Sequence, residues 1–270
     1  MPIRTVQRRA APDVVMKAII LTLLLLIVIG YILAALYLYI NQRSMIYFPH
    51  KGPSDLHDTT FEIESDGHML KGWVVNPERQ KAIIYFGGNS ERIEGNIAAF
   101  QKLFPLYSTY LLNYRGFGES DGKPTEAALY RDALAIYDQL KAEHPHISVI
   151  GRSLGSGVAT WLAASRKVEK LILITPFDSA QQVAQKVYPY FPMSLLLKDK
   201  HDSLSRAHQI DSRILMIIAS NDAIISREHS DRLAEQFKPQ QLKVVVVEDA
   251  THNTISSHAE FFDSMQAFMQ

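Results

Sequence analysis

The residues best suited to covalent chemistry lie in a G-x-S-x-G pentapeptide centred on Ser153 and bounded by Gly151 and Gly155. A short apolar run precedes it, and a small-residue segment typical of a helix start follows. A serine at a sharp strand-to-helix turn has a strained backbone and presents its hydroxyl outward, and glycines let neighbouring backbone come close. The pattern predicts a nucleophilic serine; the alternative is a glycine-rich turn with an inert serine.

A serine hydroxyl is a weak nucleophile and needs a base within hydrogen-bond reach, which an acid must orient. Of the ten histidines, only His252 follows a predicted strand at its carboxyl end. Asp222 follows the preceding strand in the same way, whereas Asp249 lies in a loop too short to support the imidazole. Each residue alone would ordinarily be a polar loop residue. Because the order Ser153, Asp222, His252 is that of α/β-hydrolases, we predict these three as the catalytic residues.

Acyl transfer also requires backbone N–H groups aimed at the developing oxyanion. The N–H of Leu154, directly after the predicted nucleophile, supplies one of them. The second is expected from the loop after the strand predicted at 81–86, where the chain reads Gly87-Gly88-Asn89-Ser90. We assign this donor to the N–H of Asn89, and a tight strand-to-helix turn is compatible with that role.

Strand and helix patterns alternate along the chain from about residue 59. Two strands, 61–65 and 68–75, surround Asp66-Gly67, a good hairpin turn. The later predicted strands are 81–86, 108–114, 147–150, 170–174, 213–219 and 242–247. The predicted helices are 91–104, 125–143, a helix ending near Ser165, 227–237 and 256–268, with 176–209 irregular or helical. This alternation predicts an α/β fold with a doubly wound, mostly parallel sheet that is opened by an antiparallel pair.

An uncharged apolar run, 18–40, precedes that domain. As a helix it would rise about 34 Å, which is enough to cross a hydrocarbon core of about 30 Å. A cleaved signal peptide is the alternative, but the run is longer than a usual signal core and no convincing cleavage site follows it. More basic residues precede the run than follow it closely, which places the N-terminus in the cytoplasm and the domain outside it. The residues before the run are Arg4, Arg8, Arg9 and Lys17, and those after it are Arg43 and Lys51.

The predicted organisation is therefore a cytoplasmic segment at 1–17, a transmembrane helix at 18–40, a connector at 41–58 and a catalytic domain at 59–270. The formal net charge is zero with both signs mixed, so nothing indicates a nucleic-acid partner. The chain has no cysteine, which excludes disulfides, thiol catalysis and cysteine metal sites.

Further motifs resemble those of a membrane-anchored α/β-hydrolase subfamily with bacterial and eukaryotic members. They are an Asn-Tyr-Arg-Gly-Phe-Gly-Glu-Ser segment at 113–120, the sequence at 122–126, the Ser153 pentapeptide and the segment 191–197. Arg115 is expected to brace the loops around the site. Gly87 stands where the subfamily usually has histidine, which bears on the rigidity of that loop, although a backbone donor should preserve activity.

The resemblance implies the α/β-hydrolase fold and a serine hydrolase that cleaves esters or thioesters, of lipids or acylated molecules, through an acyl-enzyme on Ser153. It implies no metal and no organic cofactor. The expected partners are a small-molecule or lipid acyl substrate and the membrane, and side chains between residues 187 and 197 form either an acyl-binding surface or core. The alternatives are an aminopeptidase-like serine peptidase and a non-catalytic tethered binding protein on this fold. A cofactor-dependent α/β enzyme is a weaker alternative, because the chain lacks G-x-G-x-x-G and a Walker lysine.

Overall fold

The computed structural model of the protein describes residues 12–50 and 61–270. The chain divides into two compact units, one ending at Gln42 and one extending from Arg43 to Gln270. Most of the predicted cytoplasmic segment, residues 1–11, and residues 51–58 of the predicted connector lie outside the described residues.

The N-terminal helix α1 spans Pro12–Ile46 and contains the whole predicted span at 18–40. Its apolar length exceeds the thickness of a bilayer core at 1.5 Å of rise per residue. Among the described residues it is the one helix long and apolar enough to cross a membrane, and a signal sequence meets the same criterion. The helix begins before and ends after the predicted span, because helical backbone continues into the flanking polar residues.

Eight strands of the second unit form a single sheet, in the order β1-β2-β4-β3-β5-β6-β7-β8. The strands β3 to β8 are parallel, and antiparallel pairing of β1 with β2 and of β2 with β4 opens the sheet, as predicted. The strands are β1 (Phe61–Ser65), β2 (His68–Val75), β3 (Lys81–Phe86), β4 (Tyr107–Leu112), β5 (His146–Arg152), β6 (Lys170–Ile174), β7 (Arg213–Ala219) and β8 (Leu242–Val247).

Helices cover both faces of this sheet, so its central strands are apolar on both sides. The helices of this unit are α2 (Ile97–Leu103), α3 (Glu126–Lys141), α4 (Leu154–Ser165), α5 (Ala180–Val187), α6 (Met193–Leu196), α7 (Arg227–Ala234) and α8 (Ala259–Met269). In β3, Ala82 and Ile84 pack into the cluster that contains α3 and α4, whereas Ile83 and Tyr85 pack into the cluster that contains α2 and α8.

The prediction of a helix at 91–104 was wrong for its first turns. A 3-10 turn covers Ile93–Asn96, and the α-helix begins only at Ile97. The side chain of Glu91 is bonded back to the preceding loop, so the chain is still turning where the helix was expected to begin. By contrast, α3 begins as predicted, because the hydroxyl of Thr125 accepts the N–H of Ala128 at 3.2 Å as an N-cap.

Candidate active site

Ser153 lies at the turn between β5 and α4 and adopts a left-handed backbone conformation, with φ of 49°. Such a conformation costs a non-glycine residue about 1–3 kcal/mol, so surrounding contacts must hold it. The N–H of Ser153 donates to the carbonyl of Ile174 at 2.9 Å, and Ser156 donates to the Ser153 carbonyl. A Cβ at Gly155 would overlap the Phe86 carbonyl oxygen, so only glycine permits this close approach of β3 to the turn.

The structure brings the side chains of Ser153, His252 and Asp222 into one hydrogen-bonded chain. The Ser153 hydroxyl lies 2.9 Å from Nε2 of His252, and Nδ1 of His252 lies 2.7 Å from Oδ2 of Asp222. The other oxygen of Asp222 accepts the N–H groups of Ile224 and Ile225 at 2.9 and 2.8 Å. Since a carboxylate only accepts, Nδ1 carries the proton and the lone pair of Nε2 faces the serine hydroxyl. This arrangement is able to remove the hydroxyl proton during attack on a carbonyl.

The side chains of Asp222 and His252 are both largely withdrawn from solvent. The Asp222 side chain is 2% exposed and the His252 side chain 10% exposed. Both residues come from loops at the carboxyl end of parallel strands, Asp222 after β7 and His252 after β8, which meet at one edge of the sheet.

Of the two predicted oxyanion donors, Asn89 lines a small cavity of about 200 Å³ beside Ser153, and Leu154 directly follows Ser153 in the chain. Leu154 is the first residue of α4, so its N–H has no partner within the helix. Within the described part of the chain, the N–H of Asn89 has no acceptor, whereas that of Gly88 is bonded to Glu91. The cavity is lined by Gly88, Asn89, Ser90, Glu91, Arg152, Ser153, His252 and Asn253.

The sequence analysis did not identify two charged residues that line this cavity, Glu91 and Arg152. Arg152 Nη1 lies 3.4 Å from Oε1 of Glu91, and its Nη2 lies 3.5 Å from the backbone carbonyl of His252. The spacing of Glu91 could have indicated its role. It lies three residues after Gly88, and a glutamate at that distance can reach back to accept the N–H of the earlier residue. No local pattern indicates the role of Arg152.

Arg115 is buried and braces the turn between β1 and β2 against α3. It was expected to brace the loops around Ser153, but its partners in the described part of the chain lie outside the lining of the cavity. It makes a two-point ion pair with Asp132 at 2.5 and 2.8 Å and donates to the Ser65 carbonyl at 3.2 Å. Planar two-point pairing of this kind fixes orientation as well as distance.

Other buried histidines have partners away from Ser153. His201 lies between the hydroxyls of Tyr47 and Tyr130, and burial lowers its pKa to about 4. His229 pairs with Asp178 at 2.8 Å. In residues 12–50 and 61–270, no three histidine, aspartate or glutamate side chains are grouped closely enough to hold a metal ion.

Sequence comparisons relate the chain to known proteins. The profile of the alpha/beta hydrolase fold family matches residues 82–207. An uncharacterized protein of Mycobacterium tuberculosis strain H37Rv is 30% identical over 236 residues, which are 81% of this chain and 83% of that protein. Alpha/beta hydrolase domain-containing protein 17B of Xenopus laevis is 27% identical over 165 residues, 58% of this chain and 54% of the frog protein.

Solved structures are similar over most of this chain. An esterase of Pyrococcus furiosus superposes with a TM-score of 0.67 at 21% identity, covering 82% of this chain and 97% of that chain. A hydrolase from Pseudomonas aeruginosa superposes with a TM-score of 0.63 at 18% identity, covering 80% of this chain and 99% of that chain. Together with the sheet order and the serine at the strand-to-helix turn, these similarities lead to one assignment: the chain belongs to the α/β-hydrolase family.

Proposed function

We propose that the protein is a serine hydrolase that cleaves carboxylic esters or thioesters through an acyl-enzyme on Ser153. The observation that carries the proposal is the hydrogen-bonded chain from Ser153 through His252 to Asp222 beside a cavity. The similarity to an esterase and to a hydrolase of the same fold supports the reaction class.

In the first half-reaction, the Ser153 oxygen bonds to the substrate carbonyl carbon while His252 Nε2 takes the hydroxyl proton. The oxyanion is stabilised by the N–H groups of Leu154 and Asn89. Collapse breaks the bond to the leaving alcohol or thiol, which receives the proton from His252. Asp222 holds the imidazole in the required tautomer and stabilises its positive form throughout.

In the second half-reaction, water attacks the acyl-enzyme and His252 takes one of its protons. The new tetrahedral intermediate uses the same two N–H groups. Its collapse releases the carboxylic acid and returns the proton to Ser153, so the enzyme is regenerated with no other reactant consumed.

We further propose that the acyl group comes from a lipid or an acylated molecule. Between β6 and β7, the segment 180–197 exposes apolar side chains, with Val187 62%, Tyr190 85% and Leu195 79% exposed. The ammonium of Lys186 lies 3.0 Å from the hydroxyl of Ser226, which brings this segment near the loop that holds Asp222. Exposed apolar side chains on a segment that contacts the loop of Asp222 suit a substrate with an apolar chain and a polar group.

We also propose that α1 is an uncleaved anchor with a cytoplasmic N-terminus and an extracytoplasmic catalytic domain. The length and apolar character of α1 and the excess of basic residues before it support this topology. Since the chain has no cysteine, a cysteine introduced at exposed Gln240 would be unique. Labelling of that cysteine by a membrane-impermeant maleimide on intact cells is expected, and labelling only after lysis would contradict the topology.

Labelling with a fluorophosphonate tests the serine mechanism, because the reagent bonds to an activated serine oxygen. Membranes that contain the wild-type protein should label, Ser153→Ala should not, and Ser205→Ala, a matched change at an exposed serine, should label like wild type. Equal labelling of Ser153→Ala would overturn the proposal. For the purified protein, activity that rises with ester chain length is expected, and equal activity across all lengths would count against a lipid substrate.

A further inference from the structure

Glu91 closes the loop that carries the proposed oxyanion donor. Its Oε2 accepts the N–H of Gly88 at 2.5 Å, and its own N–H donates to the Gly88 carbonyl at 3.3 Å. The carbonyl of Gly88 and the N–H of Asn89 belong to one planar trans peptide, in which they point in opposite directions. Holding the Gly88 carbonyl toward Glu91 therefore directs the Asn89 N–H the other way.

The second carboxylate oxygen of Glu91 connects this loop to the rest of the site. Oε1 accepts the hydroxyl of Tyr85 at 2.8 Å and the side-chain amide of Asn96 at 2.9 Å, and it lies 3.4 Å from Arg152 Nη1. Arg152 immediately precedes Ser153 and reaches the backbone carbonyl of His252. The two oxygens of Glu91 thus face four donors, and an ionised carboxylate suits them because both of its oxygens accept and neither donates.

Tyr85 is a suitable partner for a fixed carboxylate. Its ring is buried, and burial together with the neighbouring carboxylate raises the pKa of its hydroxyl, which therefore stays a donor. The hydroxyl of Tyr114 holds the other end of the same loop by donating to the Gly87 carbonyl at 2.8 Å. Side-chain hydrogen bonds thus hold the loop at both Gly87 and Gly88 without a histidine at position 87.

We propose that Glu91 is a positioning residue for oxyanion stabilisation, acting through the Gly88 peptide on the N–H of Asn89 and through Arg152 on the loop of His252. The inference rests on the proposed function of Ser153. Glu91 does not take part in proton transfer, and its effect on the reaction is on the direction of a donor. Removing it should therefore affect the transition state more than the binding of substrate.

The test compares Glu91→Ala, Glu91→Gln and Glu94→Ala on a soluble short-chain ester. Glu94 is a matched control, since it lies in the same short segment and forms its ion pair with Arg92. Removing a whole oxyanion donor costs about 100- to 1000-fold, so misdirecting one should lower kcat about 10- to 100-fold in Glu91→Ala, with KM changed less than about threefold. Glu91→Gln keeps one acceptor for the Gly88 N–H and should recover most of kcat, and Glu94→Ala should match wild type.

A trifluoromethyl ketone, which forms a tetrahedral adduct with the serine, separates positioning from general loosening. Its affinity should fall in Glu91→Ala by the same factor as kcat. Unchanged kcat in Glu91→Ala, or a lower kcat with unchanged ketone affinity, would overturn the positioning role. Should Glu91→Ala fail to fold, as judged by its thermal unfolding midpoint, Tyr85→Phe takes its place, because it removes one donor that fixes the Glu91 carboxylate. Wild-type kcat together with wild-type ketone affinity in Tyr85→Phe would then overturn the positioning role. A Ser153→Ala variant that still hydrolyses the ester would overturn the proposed function instead.

Discussion

The side chain of Asn89 holds the backbone of Phe48, whose N–H donates to Oδ1 of Asn89 at 2.9 Å. The amide nitrogen of the same side chain donates to the carbonyl of Ile46, the last residue of α1. Asn89 therefore has two separate roles, a side chain that fixes the segment after α1 and a backbone N–H that borders the cavity.

Asn89→Ala separates these two roles. The variant retains the backbone N–H, so we expect kcat to stay within about tenfold of wild type, while the two lost hydrogen bonds lower the free energy of unfolding by about 1–2 kcal/mol. Ester kinetics and thermal unfolding measure the two effects. A loss of kcat of about 100-fold or more would mean that the side-chain amide itself stabilises the oxyanion.

Asp222→Asn should affect turnover far more than folding. The asparagine side chain is uncharged and can donate as well as accept, so it no longer selects the tautomer of His252 with a proton on Nδ1. We therefore expect kcat to fall about 10⁴-fold. Asp249→Asn is the matched control, because Asp249 is the acid nearest to His252 in sequence and asparagine tolerates its left-handed φ of 57°. Equal losses in the two variants would contradict the role of Asp222.

Gly87→Ala should destabilise the protein because of one neighbour. A Cβ at position 87 would lie 2.6 Å from Cγ2 of Ile93, a buried side chain. We expect a cost of about 1–3 kcal/mol in the free energy of unfolding, as for other overpacked sites. In an Ile93→Ala background the cost of Gly87→Ala should fall below about 1 kcal/mol. A cost that is independent of residue 93 would show that the loop resists the methyl group for another reason.

His201 should make stability depend on pH. Burial is the main cause that lowers the pKa of His201 from 6.5 to about 4, so the folded state keeps the neutral imidazole. Below pH 6.5 the unfolded chain binds a proton that the folded protein does not. Stability is therefore lost as the pH falls from about 6.5 to about 4, by up to about 3 kcal/mol.

Thermal unfolding of wild type and His201→Asn between pH 4 and pH 8 measures that contribution. Asparagine tolerates the left-handed φ of 42° at this position, and the variant should lose less stability than wild type as the pH falls. His208→Asn, an exposed change in the following 3-10 turn, should behave like wild type. Identical pH profiles for wild type and His201→Asn would contradict the prediction.

The predicted strand bounds show which local patterns are informative. The bounds of β3, β6, β7 and β8 agree with the structure. The first three are buried parallel strands, which read as short apolar runs whatever their neighbours are, whereas β8 is a partly exposed edge strand with a run of β-branched valines. The predicted helix at 91–104 was wrong at its start, because the side chain of Glu91 competes for the backbone of the preceding turn.

Position in the sequence predicted three side chains of this site, but not those of Glu91 and Arg152. Ser153, Asp222 and His252 each follow a strand, and parallel strands end at a common edge, so the pattern of strands determines that the three residues share that edge. The distances between the three side chains depend on the tertiary structure, since their hydrogen bonds join residues 99 and 30 positions apart. The contacts of Glu91 with Arg152 and of Asn89 with Phe48 depend in the same way on the packing of separate loops, which no periodicity within either loop encodes.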